Sequence, residues 1–572
     1  MSSLVKKTIK GKQYYYIVDS KRVDGKPKIV NQIYIGPVES VISSLKESKV
    51  AVAPAYSTVL EFGAVSALYD VAQRLDVVGR IDAIAPKRKQ GLSVGTYLLI
   101  AAINRAVSPA SKSGLEAWYS KTILSKLIPA SKSQLDSRRF WDSMDRWSDH
   151  DMETFEASFV PFLVKEYQLD TKCLVYDATN FFTYIDTANK KSDLAKRGHS
   201  KEKRNDLRII GLSLMLSGED EIPLFYETYE GNRPDSKQFA AAVKKLKERY
   251  KNMFGNDPDI TLVFDRGNNS EDNIDLLYDE DETAFFHYVG GLKASQCKEL
   301  YDIPKMDYKD LDGKEFGQTK AYRKQVHAFG REVTAVITEN PELARGQMQG
   351  VLINREKCRQ KLEEYQEKLR KWENGEIKRG KKPTKDSALK QVKNILSIEY
   401  MERLFLIEWS EGEERHYPYF HFSLPDEKLA ELEEHDLGKS VLFTDHDDWS
   451  DERIVHAYRS AWRIEAAFRQ MKDTDHLSVR PLWHWTDQKI KVHIFCCILA
   501  YRLCCILKRE LRCKGIDIGM NQLLEKLSDK KQVISYYQKK RGLRESYSAT
   551  IGDDITEEII KLQGLETYLL KS

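Results

Sequence analysis

Eight cysteines in 572 residues show no disulfide framework of the kind that holds a secreted domain together. No apolar run reaches the ~20 residues of a membrane-spanning helix. The first residues, MSSLVKKTIKGKQYYY, lack the apolar core of a signal peptide. We therefore expect a soluble protein of the reducing cytoplasm that has no membrane partner.

The chain also lacks a strong excess of charge. Its 91 basic and 87 acidic residues give a net charge of +4, which does not by itself indicate nucleic-acid binding. The basic residues cluster, however, and each cluster could neutralise phosphates or form a solvated loop. These runs are residues 86–89, 190–208 and 378–385.

What is present is enough apolar sequence for several folded domains. Hydrophobic residues make up 41% of the chain and aromatic residues 10%. Its length allows three or four domains of ~150 residues.

The stretch from 172 to 293 is the most informative about the fold. Three apolar runs predict strands (KCLVYDATNFFTYI, LRIIGLSLMLSG and IPLFYETYEGN), and DSKQFAAAVKKLKERYKNMF predicts a helix. Two further strands follow, ITLVFDRGNNS and ETAFFHYVGGLK. Three strands, a helix and two strands is the order of a ribonuclease H-like fold, in which the first and fourth strands end side by side. We therefore predict an α/β core with a mixed five-stranded sheet and helices.

Composition and periodicity divide the chain into six regions. The predicted order is a small N-terminal β unit (1–50), a helical DNA-binding domain (51–169), the first part of the ribonuclease H-like core (170–292), an insertion domain with β-strands and a charged helical hairpin (293–445), the second part of the core (446–510), and a C-terminal helical region (511–572).

Two aspartates stand where apolar strands become polar, Asp177 in LVYDATNF and Asp265 in LVFDRGNN. A carboxylate there is costly to desolvate unless a cation or a hydrogen-bond donor pairs with it. A strand-end aspartate can equally be a turn or cap residue. In the predicted fold, the first and fourth strands end side by side, so Asp177 and Asp265 are expected to be neighbours.

A third carboxylate lies on the helix predicted by SDERIVHAYRSAWRIEAAFRQMKDT. Tyr458, Glu465 and Lys472 follow at steps of seven, so on one helix they share a face with a drift of ~20° per step. Lys472 or Arg463 could hold a phosphate there. A glutamate at this spacing from a lysine can also be an ordinary surface position.

These three segments resemble the motifs of DDE-superfamily transposases of prokaryotic insertion sequences. The segment Asp177-Ala-Thr-Asn-Phe181 resembles the first motif, and Asp265-Arg-Gly-Asn-Asn269 resembles the second. Tyr458, Glu465 and Lys472 resemble the third motif, Y-x2-R-x3-E-x6-K. Ala461 stands at its arginine position, and Arg459 or Arg463 are candidates to replace that arginine. The long gap before Glu465 also resembles this group, whose core is interrupted by an insertion domain.

The resemblance implies a DNA transposase that cleaves the ends of its own mobile element and joins them to target DNA. Asp177, Asp265 and Glu465 would be the catalytic residues and the ligands of two Mg²⁺ or Mn²⁺ ions. Such ions prefer oxygen ligands, activate the attacking hydroxyl and stabilise the leaving oxygen. The implied partners are terminal inverted repeats, target DNA and a second copy of the chain in the DNA complex. The expected location is cytoplasmic and associated with the nucleoid.

Six side chains are predicted to contact DNA, three from the third motif and three from the basic loop after the first core strand. They are Tyr458, Arg463, Lys472, Lys201, Lys203 and Arg204.

Two other functions stay open. A ribonuclease H-like nuclease or resolvase would cut without joining, although it needs neither this length nor an insertion domain. A catalytically inactive DNA-binding descendant would have no need of three carboxylates.

Overall fold

The computed structural model describes residues 2–23, 26–40, 42, 54–85, 91–254, 259–281, 283–293, 296–410, 416–538 and 543–571. The basic run 86–89 lies outside these residues. The chain forms two compact units, one of Met1–Ser66, Lys121–Leu127 and Glu525–Ser572, the other of Ala67–Ser120 and Ile128–Leu524.

The elements are numbered in chain order. The strands are β1 (Ser2–Ile9), β2 (Lys12–Val23), β3 (Lys26–Pro37), β4 (Tyr56–Glu61), β5 (Cys173–Thr183), β6 (Arg208–Ser217), β7 (Pro223–Glu230), β8 (Thr261–Phe264), β9 (His287–Leu292), β10 (Lys309–Asp310), β11 (Lys320–Ala328), β12 (Arg331–Glu339), β13 (Leu406–Ser410), β14 (Tyr419–Ser423), β15 (Lys439–Thr444), β16 (Lys531–Gln538) and β17 (Leu543–Ala549). The helices are α1 (Gly63–Arg74), α2 (Val77–Ile84), α3 (Val94–Val107), α4 (Leu115–Tyr119), α5 (Leu124–Leu127), α6 (Ser137–Met144), α7 (Asp149–Tyr167), α8 (Asp235–Phe254), α9 (Glu271–Asp275), α10 (Lys298–Tyr301), α11 (Pro341–Glu373), α12 (Lys385–Ile395), α13 (Met401–Leu404), α14 (Asp426–His435), α15 (Asp451–Arg459), α16 (Trp462–Lys472), α17 (Asp487–Cys513), α18 (Met520–Asp529) and α19 (Asp554–Leu562).

The first unit contains two three-stranded antiparallel sheets. One is the meander β1-β2-β3, and the other has the order β17-β16-β4. The prediction of a helical C-terminal region was therefore wrong for residues 531–538 and 543–549. The strand KQVISYYQ has little apolar alternation of its own, and its partner β4 lies more than 400 residues earlier in the chain.

The second unit is built on a nine-stranded mixed sheet with the order β10-β11-β12-β15-β9-β8-β5-β6-β7. Strands β5, β6 and β7 form an antiparallel meander, and α8 then crosses over to β8 and β9, which run parallel to β5. Strands, helix and strands thus follow one another in the predicted order. The prediction of five strands was wrong, because four more strands extend the sheet beyond β9.

These added strands also move the boundaries of the predicted insertion. Strand β12 pairs with β15, and β15 pairs with β9, so residues 309–339 and 439–444 belong to the sheet. The excursion runs from Asn340 to Gly438, whose backbone groups are hydrogen-bonded to each other. It contains the long helix α11, helices α12 to α14 and the hairpin β13-β14, which share their own apolar core.

One helix among the described residues, α17, is long and apolar enough to cross a membrane, which corrects the expectation that no such run exists. Its most apolar window is 94% buried inside the protein, as in a core helix. Four cysteines of α17 are buried and free rather than arranged as metal ligands: Cys496, Cys497, Cys504 and Cys505.

A buried ion pair joins α17 to α7 and to the sheet. The Arg502 guanidinium donates two hydrogen bonds of 2.6 Å to the Glu156 carboxylate and one of 2.7 Å to the Pro223 carbonyl. Both charged side chains are almost fully buried, at 1% and 4% exposure. The pair is therefore shielded from solvent and salt.

We predict that Arg502→Leu destabilises the second unit by about 3–5 kcal/mol, because Glu156 is left as a buried and unpaired charge. The double variant Arg502→Leu/Glu156→Leu should recover most of this loss. Urea unfolding followed by tryptophan fluorescence measures both. A single variant as stable as the wild type would show that the pair is solvated in solution.

Candidate active site

The register between β5 and β8 places two carboxylates side by side. The strands are parallel, with Tyr176 opposite Phe264, so Asp177 and Asp265 are the next residues of each strand. Apolar side chains fill the sheet up to this point, because Leu174, Val175 and the whole of β8 are buried. The two aspartates therefore meet at the carboxyl end of β8.

The Asp177 carboxylate is half-buried and electrostatically strained. Its Oδ1 accepts a 2.7 Å hydrogen bond from the Ala178 amide. Burial raises its pKa to about 6; Lys201 opposes this shift, and the nearby Asp265 and Asp235 carboxylates add to it. Carboxylate oxygens are the ligands that a hard divalent cation prefers, and a bound cation would offset the unfavourable burial of the Asp177 charge.

Two residues that the sequence did not assign to this edge complete its charge pattern. Asp235, the first residue of α8, accepts a 3.3 Å hydrogen bond from the Tyr229 hydroxyl. Lys201 lies 3.2 Å from Asp235 and donates a 2.5 Å hydrogen bond to the Ala178 carbonyl. Lys201, predicted to contact DNA, is thus placed among the carboxylates. The basic loop was visible in the sequence, but its return to the strand was not.

Tyr458, near the end of α15, reaches the second aspartate. Its hydroxyl is 3.5 Å from Asp265 Oδ1, the outer limit of a hydrogen bond. Burial raises the pKa of Tyr458, the Asp265 charge raises it further, and neighbouring Arg266 opposes both. A Cβ at Gly291 would lie 2.5 Å from this hydroxyl, so glycine in β9 makes room for the tyrosine. The arginine beside Tyr458 is Arg266 of the second motif, for which the sequence predicted no function.

The predicted single helix carrying the third motif is broken. Helix α15 ends at Arg459 and α16 begins at Trp462. Between them the Ser460 hydroxyl donates to the Ala457 carbonyl at 2.6 Å, and the Ala461 amide bonds three residues back, to Tyr458. A side chain that competes for helix carbonyls and a tighter turn account for the break. The shared face therefore applies to Glu465 and Lys472 only.

Helix α16 packs against β5 and β6 through its apolar face. Ile464 is buried, whereas Glu465 is exposed and, among the described residues, has no side-chain hydrogen bond or ion pair. Seven residues further on, Lys472 Nζ donates a 2.8 Å hydrogen bond to Thr179 Oγ1, two positions beyond Asp177 on β5. Burial lowers the pKa of Lys472, and the Asp177 charge opposes that shift. In the sequence, Glu465 thus lies midway between Tyr458, whose hydroxyl contacts Asp265, and Lys472, whose ammonium group contacts Thr179 on β5.

The other predicted DNA contacts are placed elsewhere. Arg463 donates a 2.5 Å hydrogen bond to the Gly218 carbonyl, in the β6–β7 turn. Arg459 binds Thr319 at 2.7 Å, so neither residue fills the arginine position of the third motif. Arg204 is paired with Asp206, and Lys203 is exposed.

A second cluster of potential metal ligands lies at the opposite end of the central strands, where β8 and β9 begin and β15 ends. His287, Asp445 and His446 have ligand atoms within 4.8 Å of one another. His287 is hydrogen-bonded to Asp445 at 2.8 Å, and His446 to Thr261 at 2.8 Å. The two imidazole rings are stacked, with 29° between their planes, so their in-plane lone pairs do not converge on one ion. We interpret these side chains as a hydrogen-bonded cluster that connects the ends of neighbouring strands.

The raised pKa of Asp177 predicts a pH-dependent effect of Asp177→Asn in EDTA. Above pH 6 the folded protein holds a charge that burial disfavours, and this penalty is lost as the pH falls from about 6 toward the ordinary value of 3.8. Because the group is half-buried, we expect the variant to gain about 1 kcal/mol in urea unfolding above pH 6 and almost nothing near pH 4. Asp206→Asn, at an exposed ion pair, is the control. Destabilisation by Asp177→Asn at both pH values would contradict the assignment.

A protein family and a solved structure are similar to this chain, whereas no curated protein matches it. The cryo-EM structure of a piggyBac transposase synaptic complex with hairpin DNA is similar to it at 9% identity and a TM-score of 0.36, covering 81% of this chain and 79% of that one. The family described as "Transposase DDE domain" matches residues 169–503, more than half of the chain. The chain therefore belongs to the Transposase DDE domain family.

Proposed function

We propose that the protein is a transposase that cleaves the ends of its own mobile element and joins them to target DNA. The observation that carries this proposal is the β5–β8 register, which sets Asp177 beside Asp265 under the helix of Glu465. The strand order β7-β6-β5-β8-β9, which makes up one side of the sheet and begins at its edge strand β7, supports a ribonuclease H-like core. The spacing of Tyr458, Glu465 and Lys472 supports the insertion-sequence group with the Y-x2-R-x3-E-x6-K motif.

Asp177, Asp265 and Glu465 would hold Mg²⁺ or Mn²⁺, in our proposal two ions. When bound, such ions activate the attacking water or 3′-hydroxyl and stabilise the leaving oxygen. The fit rests on the oxygen donor set and on the strained charge of Asp177, which a divalent cation would relieve.

The surrounding side chains would bind and orient the scissile strand. Lys472, fixed on Thr179, would place its ammonium group beside a phosphate oxygen. Tyr458 would orient Asp265 through its hydroxyl, and Arg266 would supply a second cation at the same edge. Lys201 would balance the carboxylates before DNA arrives.

The proposed partners are terminal inverted repeats and target DNA, with a homodimer in the DNA complex because two ends must be joined. The proposed location is cytoplasmic and associated with the nucleoid. A nuclease that cuts without joining would use the same carboxylates, so a strand-transfer assay with a pre-cleaved end separates these functions.

We expect Asp177→Ala, Asp265→Ala and Glu465→Ala each to lower DNA cleavage in Mg²⁺ by at least about a thousandfold while DNA binding is retained. A metal ligand contributes to chemistry, whereas most phosphate contacts lie elsewhere. Nicking of element-end DNA on a denaturing gel and fluorescence anisotropy measure the two properties. Asp517→Ala, at an exposed aspartate of the same compact unit, is the control. A triad variant with near wild-type cleavage, or strong cleavage in excess EDTA, would refute the assignment.

The role proposed for Lys472 gives a separate prediction. Lys472→Ala should lower cleavage about 10- to 100-fold with a nearly unchanged melting temperature, because it removes a charge-assisted phosphate contact. Lys472→Arg should rescue only partly, since a planar guanidinium does not reproduce a compact ammonium group. Ile464→Asp, on the buried face of α16, should instead unfold the protein. The reverse pattern would show that α16 is oriented differently.

A further inference from the structure

The N-terminal sheet holds positive charge that the proposed active site does not use. Residues 1–37 contain eight basic and two acidic residues, whereas the rest of the chain contains 83 basic and 85 acidic ones. Residues 51–169, the predicted DNA-binding domain, contain 14 basic and 13 acidic residues. Charge therefore favours the β1-β2-β3 sheet over the helical region as the surface that attracts phosphates.

This charge gathers at the tip of the first hairpin. Lys10 and Gly11 both have positive φ angles, 50° and 77°, as in the two-residue turn that joins two strands tightly. The segment Val5–Ile17 around this turn, here named the basic hairpin, contains no acidic residue. It carries four lysines: Lys6, Lys7, Lys10 and Lys12.

Contacts on one face give this hairpin a fixed shape. Lys7 Nζ lies 5.0 Å from the centre of the Tyr16 ring and donates a 2.9 Å hydrogen bond to Gln32 of β3. The Tyr34 ring lies 5.2 Å from Tyr16 and 6.0 Å from Tyr14. Lys7 is therefore bound within the sheet, while the other three lysines of the hairpin are exposed.

We propose that the N-terminal sheet is a duplex-DNA-binding module whose basic hairpin contacts the phosphate backbone. A two-stranded β-ribbon fits the major groove, which is about 12 Å wide. The proposal deepens the proposed transposase function and rests on it for its biological meaning. It does not depend on the carboxylates, since electrostatic contact with phosphates needs no metal.

A second copy of the chain is the competing occupant of this sheet. Leu4, Ile17 and Ile33 form an apolar row across the three strands and are 57%, 40% and 54% exposed. Association of two such sheets would bring together two segments that each carry six net positive charges. Repulsion between the two sheets opposes self-association, whereas attraction to phosphates favours DNA binding. Charge therefore favours DNA as the occupant of this sheet.

The test compares full-length variants on a random-sequence duplex of about 30 base pairs in EDTA, by fluorescence anisotropy from about 50 to 200 mM salt. Lys6→Gln/Lys10→Gln/Lys12→Gln should weaken binding at least about tenfold and reduce the slope of log Kd against log salt by about 2–3, one ion released per lost contact. The triple Lys→Arg variant at these positions should retain the slope. A control with the same charge change, Lys121→Gln/Lys126→Gln/Lys561→Gln, alters exposed lysines of the same compact unit.

An unchanged Kd and slope in the Gln hairpin variant, with an unchanged melting temperature, would overturn the proposal. So would light scattering that shows Leu4→Ser/Ile33→Ser dissociating a dimer while the salt dependence of the hairpin variant stays that of the wild type. Because the assay contains no metal, it separates this inference from the proposed function. The outcome of the cleavage assay on the triad variants does not affect the inference that the basic hairpin binds DNA. A reduced salt slope in the hairpin variant likewise does not affect the assignment of the triad.

Discussion

The parallel pairing of β5 with β8 is the constraint on which the proposed site depends. A sheet alternates its side chains with a period of two, so a slip of one residue would turn one aspartate to the other face. The buried residues Val175 and Val263 are partners in this register, so a slip would disrupt their packing in the core. Packing energy thereby keeps Asp177 and Asp265 adjacent, although their charges repel.

Cationic side chains offset that repulsion in the absence of metal. Lys201 from the basic loop lies against Asp235 and the backbone of β5, and Lys472 from α16 is anchored two residues beyond Asp177. Both are within electrostatic range of Asp177. The site thus joins a carboxylate group suited to divalent cations with ammonium groups suited to phosphates, as phosphoryl-transfer chemistry requires.

Local sequence patterns were sufficient to predict strands β5 to β9, whereas the metal-binding role of Asp177 and Asp265 stays a prediction. Apolar runs ending in LVYD and LVFD identify the buried strands, but β5 continues past Asp177 to Thr183, so only Asp265 follows the end of its strand. Strands were expected within residues 293–445, but their addition to this sheet could not be predicted, since their pairing is set by tertiary contacts between distant segments. The break at Ser460 was equally hidden, because serine and alanine are both compatible with a continuous helix. The proximity of Lys201 and Asp235 to Asp177 was not predicted, because it depends on how the basic loop and the start of α8 fold against β5.

The most direct test of this account is a crystal of the protein soaked in Mn²⁺ and examined by anomalous scattering. We predict a manganese peak coordinated by Asp177 and Asp265, with Glu465 as a further ligand, and no peak at His287 and His446. A peak at the histidine cluster alone, or aspartates that bind no metal at saturating Mn²⁺, would contradict the central claim that the β5–β8 register builds the active site.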